Sequence, residues 1–109
     1  MSGKLSTHVL DLTTGRPAAG MHIELLDEDG ARIKVTQTNV DGRTDEPLLN
    51  AEEMRVGVLE IRFHVGAYFE SAAGFLDIVP VRFRIVNATE SHHVPLLCTP
   101  WAYSTYRGS

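Results

Sequence analysis

Apolar residues return at every second position in three separate stretches of this chain. Met21, Ile23 and Leu25 alternate with His22 and Glu24; Leu59, Ile61 and Phe63 with Glu60, Arg62 and His64; Val81, Phe83 and Ile85 with Arg82 and Arg84. Successive side chains of an extended strand point to opposite faces, so each stretch reads as a strand with one buried face and one wet face. A weaker run, Arg32-Ile33-Lys34-Val35-Thr36, adds another strand, and Leu5–Asp11 opens the chain with β-branched residues. The chain is mostly β.

The segments between the runs carry turn chemistry. Thr13-Thr14-Gly15-Arg16-Pro17, Asp27-Glu28-Asp29-Gly30 and Asp41-Gly42 pair glycine, which supplies positive φ, with aspartate, which closes local turns. Asp29-Gly30 lies between two alternating runs and predicts a hairpin. Ala67–Ala73 breaks the alternation and contains no Val or Ile, which predicts one short helix stopping at Gly74. Seven or eight short strands with one helix predict a two-sheet sandwich. At 109 residues the chain is the size of one domain, and 1–109 is read as such.

Charge and cysteine content narrow the function. Ten Lys and Arg against fourteen Asp and Glu leave a net charge of −4, with no basic run, which argues against nucleic acid or anionic lipid as partner. The single Cys98 forms no internal disulfide. No apolar leader is visible and no stretch nears the ~20 apolar residues that span a bilayer, so the expected compartment is the cytoplasm. A peroxisomal location is possible for a eukaryotic protein, although no Ser-Lys-Leu terminus is present.

Five histidines invite a metal reading, but none of the recognised ligand spacings occurs. His92 and His93 are adjacent and so point to opposite faces of a strand. No metal site is therefore expected. Phosphate-cradling glycine motifs and a Gly-x-Ser-x-Gly elbow are also missing. Cys98, flanked by Leu96 and Leu97, reads as an inert core thiol. The polar residues in unusual places are His8 within a strand-like run, Arg43 after the Asp41-Gly42 turn, His93 leading into Val94-Pro95-Leu96-Leu97, and the ending Tyr106-Arg107-Gly108-Ser109. Each alone fits a hydrogen-bonded or solvated structural residue. The ending is different, because chain ends usually fray while Tyr103–Arg107 reads as a strand tied down near the terminus.

Together these segments resemble the 5-hydroxyisourate hydrolases, also called transthyretin-related proteins. The resemblance spans essentially the whole chain. It rests on Leu5-Ser6-Thr7-His8-Val9-Leu10-Asp11 with Gly15-Arg16-Pro17-Ala18, on Thr38-Asn39-Val40-Asp41-Gly42-Arg43, on His93-Val94-Pro95-Leu96-Leu97, and most specifically on Tyr103-Ser104-Thr105-Tyr106-Arg107-Gly108-Ser109. The resemblance implies an all-β, transthyretin-like (prealbumin-like) two-sheet sandwich of about eight strands and one short helix, assembled as a homotetramer. It implies hydrolysis of 5-hydroxyisourate to 2-oxo-4-hydroxy-4-carboxy-5-ureidoimidazoline in urate breakdown, in a channel between dimers, with no cofactor. His8, Arg43 and His93 are then the catalytic residues, and His8, Arg43, Tyr106 and Ser109 contact the small-molecule substrate. The alternative on the same fold is a small-ligand carrier without catalysis.

The residue types suit that chemistry. A neutral histidine, with a pKa near about 6.5, can take a proton from water, and a guanidinium fork can hold developing oxyanions. His93 is expected to be the base, with His8 orienting water or substrate; residue type alone fits either assignment. Two positions depart from the family's pattern. His92 stands where an aromatic is usual, and Cys98-Thr99 stands where Leu-Ser is usual, which implies altered channel packing with activity kept.

Overall fold

A computed structural model describes residues 3–70 and 73–108. Eight strands and one helix follow in the order β1 (Leu5–Asp11), β2 (Arg16–Pro17), β3 (His22–Asp27), β4 (Arg32–Gln37), β5 (Gly57–His64), α1 (Val65–Phe69), β6 (Ile78–Ile85), β7 (His92–Cys98) and β8 (Tyr103–Thr105). They form two four-stranded sheets, ordered β2-β1-β7-β8 and β4-β3-β5-β6. Every pairing is antiparallel except β1 with β7, which run parallel.

The alternation read from the sequence is what joins the layers. Leu5 and Val9 of β1, Ile23 and Leu25 of β3, Leu59, Ile61 and Phe63 of β5, Val79, Val81 and Ile85 of β6, and Val94, Leu96 and Cys98 of β7 form one buried cluster. Taking a side chain like Phe63 fully out of water contributes about 1.5–3 kcal/mol. Asp29-Gly30 makes the β3–β4 turn, with Gly30 at φ 88, and a register shift follows between Leu25 and Leu26.

The helix differs from expectation at both ends. It begins at Val65, because that buried residue continues the inward series of β5 into the first helical turn. It stops at Glu70, which adopts a left-handed φ of 51 and donates its N–H to the Gly66 carbonyl, well short of Gly74. Ser71 and Ala72 of the expected helix lie outside the described residues. Tyr68 Oη donates to Asp11 Oδ2 at 3.1 Å and so ties the helix to the end of β1. Burial first, then the Asp11 contact, raises the Tyr68 pKa and keeps that proton in place.

β8 is likewise shorter than the strand expected over Tyr103–Arg107. Pairing with β7 ends at Leu96–Thr105, and contact resumes as a single bridge between His93 and Gly108. Cys98 faces inward, opposite Asp11 in the β1–β7 register, and fills the core as its sequence neighbours imply. Thr99 serves the β7–β8 turn, its Oγ1 accepting the Trp101 and Ala102 N–H groups at 3.0 Å each. No helix among the described residues is long and apolar enough to cross a membrane.

Candidate active site

The parallel register of β1 and β7 decides which side chains share the outer face of their sheet. Leu5, Thr7, Val9 and Asp11 point into the sandwich, so Ser6, His8 and Leu10 point out. Ser6 pairs with His93, His8 with Pro95 and Leu10 with Leu97. His8 and His93 therefore stand one diagonal step apart on one face, although 85 positions separate them in sequence. Inside, the Thr7 hydroxyl fixes the pairing by donating to the Val94 carbonyl at 2.7 Å.

Arg43 reaches this face through a turn built by its neighbours. Buried Thr38 donates its hydroxyl to the Ala18 carbonyl at 2.6 Å and accepts the Met21 N–H at 2.9 Å, anchoring the segment. Asn39 then closes an Asx turn, its Oδ1 accepting the N–H groups of Asp41 at 2.9 Å and Arg43 at 3.2 Å. Gly42 lies against β1: Val9 N–H donates to its carbonyl at 2.8 Å. A side chain there would overlap the Val9 carbonyl oxygen and approach His8 Cδ2 to 3.2 Å, and φ is +74, so the position requires glycine. Among the described residues the exposed Arg43 guanidinium has no carboxylate partner.

His93 is half-buried and held on two sides. Its Nδ1 lies 2.9 Å from Ser6 Oγ. When Nδ1–H donates to that hydroxyl, Nε2 carries the lone pair and is a base. Gly108 lies against the opposite part of the ring, its N–H donating to the His93 carbonyl at 2.7 Å. Burial, followed by the positive charge of Arg43 and the nearby His8, lowers the His93 pKa below its ordinary value. The imidazole is therefore kept neutral, the state a general base needs.

The structure brings His8, Arg43 and His93 together and adds Ser6 and Gly108. Alternation along Ser6 and His8 is the available signal for Ser6; the unusual ending Tyr106-Arg107-Gly108-Ser109 points to the terminus but not to a contact of Gly108 with His93. Tyr106 is placed elsewhere. With His92, Val94, Phe83 and Arg82 it borders a cleft of about 230 Å³ where the edge strands β6 and β8 approach each other. His92, the unusual residue beside His93, points inward to that cleft and contacts the Glu90 carbonyl through Nδ1 at 3.0 Å. Ser109 lies outside the described residues.

Strand order, the lone parallel β1–β7 pair and the helix after β5 define a transthyretin-like sandwich with a polar site on one sheet face. The sequence profile of the HIUase/Transthyretin family matches residues 5–108, and the chain belongs to that family. It is 50% identical to the 5-hydroxyisourate hydrolase of Halalkalibacterium halodurans, with 100% of both chains covered. Among solved structures, it is similar to the 5-hydroxyisourate hydrolase of Klebsiella pneumoniae, at TM-score 0.85 and 33% identity, covering 98% of this chain and 94% of that one. It also matches an (S)-allantoin synthase at TM-score 0.90 and 42% identity, with 99% of this chain covered but only 44% of the synthase.

Proposed function

We propose that this chain hydrolyses 5-hydroxyisourate to 2-oxo-4-hydroxy-4-carboxy-5-ureidoimidazoline, acting over residues 1–109 as one hydrolase domain. The observation that carries the reading is the convergence of His8, Arg43 and His93 on one sheet face in a chain 50% identical, end to end, to a 5-hydroxyisourate hydrolase.

Neutral His93 takes a proton from water as the water oxygen attacks the carbonyl carbon of the cyclic amide. Arg43 holds the oxygen on which negative charge gathers, a role suited to its exposed guanidinium beside His93. The carbon–nitrogen bond then breaks, and the proton passes from His93 to the departing nitrogen. His8 orients substrate or water beside the ring. Of the terminal residues, Ser109 takes a substrate-binding role because its chain neighbour Gly108 abuts His93. Tyr106 takes one where assembly joins the His92 cleft to the channel.

We place the sites in the channel of a homotetramer. Support comes from β6 and β8, which end their sheets and leave strand edges for a second copy to pair with. A cytoplasmic setting suits the single unpaired thiol of Cys98. The reaction uses no cofactor in this reading, since base, anion holder and positioning groups are all side chains.

Supplying substrate in large molar excess separates hydrolysis from carriage. The hydrolase consumes many equivalents, and carbon NMR shows a new carboxylate; a carrier protects one equivalent per site and forms no product, which would overturn the proposal.

A further inference from the structure

The second sheet carries a cluster on its outer face that the hydrolytic reading does not use. His22 and Glu24 alternate outward along β3, and His64 ends β5 one residue beyond the Ile23–Phe63 pair, which sets it beside His22. The two imidazoles meet edge to face with centroids 4.4 Å apart. His64 Nε2 lies 2.8 Å from Glu24 Oε1. One donor atom from each of the three residues falls within 4.8 Å of the others. We propose that His22, Glu24 and His64 form a binding site for a divalent cation of the zinc class.

The donor set points to that class. Two imidazoles and one carboxylate suit zinc, whereas magnesium and calcium prefer all-oxygen ligands. Tetrahedral zinc with bonds of about 2.0–2.1 Å places its ligand atoms about 3.3 Å apart. The donors therefore need small side-chain rotations only, and they stand on two directly paired strands. Three protein ligands leave the fourth position to water, so the site is open.

Glu24 is already arranged as a ligand. Its Oε2 is held by Arg32 Nε at 3.3 Å, leaving Oε1 toward His64 in the manner of a carboxylate fixed by an outer partner. The hydrogen bond from His64, with the charges of Arg32, His64 and His22, lowers its pKa, outweighing the opposing effect of burial. The cation takes the place of the hydrogen bond between His64 Nε2 and Glu24 Oε1, each donor binding it in its unprotonated form. Two further cations face this patch. Arg32 is bound to Glu24, and Arg62, cross-strand from Glu24, is occupied by Glu60 Oε2 at 2.7 Å.

Zinc chloride titrated calorimetrically into the full chain, stripped of metal, tests the site. Wild type is expected to bind one zinc per chain near neutral pH. His22→Ala, a change at an exposed side chain, is expected to weaken that binding at least about tenfold, the lower range for losing even an outer-shell partner. His64→Ala should do the same, while His93→Asn retains it. Absence of binding to wild type would leave an ordinary surface ion-pair network and overturn the proposal. Binding that survives His22→Ala and His64→Ala but is lost in His93→Asn would overturn it equally, by moving the metal to the other sheet.

Discussion

Gly108→Ala probes the least visible part of the site with one methyl group. Gly108 does not have a positive φ, so alanine brings no backbone strain, and its effect is contact alone. Its Cβ would stand 2.7 Å from His93 Cδ2 and 3.4 Å from Cγ. Non-bonded carbons rest about 3.5–4.0 Å apart, so ring or terminal segment must yield by about 0.8 Å or more. If the segment moves, it gives up the 2.7 Å bond between Gly108 N–H and the His93 carbonyl, a net loss of about 1 kcal/mol. If the ring moves, Nε2 leaves its working position, and a misplacement of about 1 Å can cost about 10²-fold in rate. That factor equals about 2.7 kcal/mol of barrier. The assay is the enzymatic excess over spontaneous decay of 5-hydroxyisourate, followed by ultraviolet absorbance beside a thermal melt. Gly108→Ala should melt close to wild type and turn over about 10²-fold more slowly. A folded variant with both wild-type rate and wild-type melting temperature would refute the placement of the terminus against His93.

Four further outcomes follow from the structure. Burial and Arg43 hold the His93 pKa down, so the acid limb of the rate profile should lie below the ordinary histidine value of about 6.5. Arg43→Met removes one depressing charge and should move that limb to higher pH while lowering the plateau rate; an unmoved limb would contradict the coupling. Gly42→Ala forces a side chain onto the Val9 carbonyl at a φ of +74 and should destabilise the fold by at least about 1–3 kcal/mol, measured by urea denaturation. Cys98 is buried, with its thiol pushed up to about 12 by burial and then by Asp11, so native protein should resist iodoacetamide near about pH 8 and react once unfolded.

The sandwich was legible because alternation is local: any residue on Leu59–Phe63 shows its face through its neighbours two positions away. Long-range contacts do not announce themselves in this way. Glu24 sits on the polar side of its alternation, yet it is only 9% exposed, since Arg32 and His64 close over it. The helix start is hidden in the sequence because Val65 belongs to two patterns at once, continuing the inward series of β5 and opening the first turn of α1. His8, Arg43 and His93 stand out in the sequence as polar residues in unusual places, and family resemblance supplies their roles; the meeting of the two histidines depends on the parallel β1–β7 register, which no turn signal encodes. Ser6 and Gly108 enter by that same register and by the bridge beyond β8. Cys98 is buried in the core, as its apolar neighbours Leu96 and Leu97 imply. Tyr106 lies past the end of β8 pairing, where alternation no longer says which side a residue takes.

The central claim is that His93, held neutral on the outer face of β7, draws a proton from water during hydrolysis of 5-hydroxyisourate. Its most direct test is the excess decay rate of freshly generated 5-hydroxyisourate with wild type and with His93→Asn, both verified as folded. The account predicts clear acceleration by wild type and a loss of about 10²–10⁴-fold in the variant. Equal acceleration by both proteins, or none by a folded wild type, would contradict it.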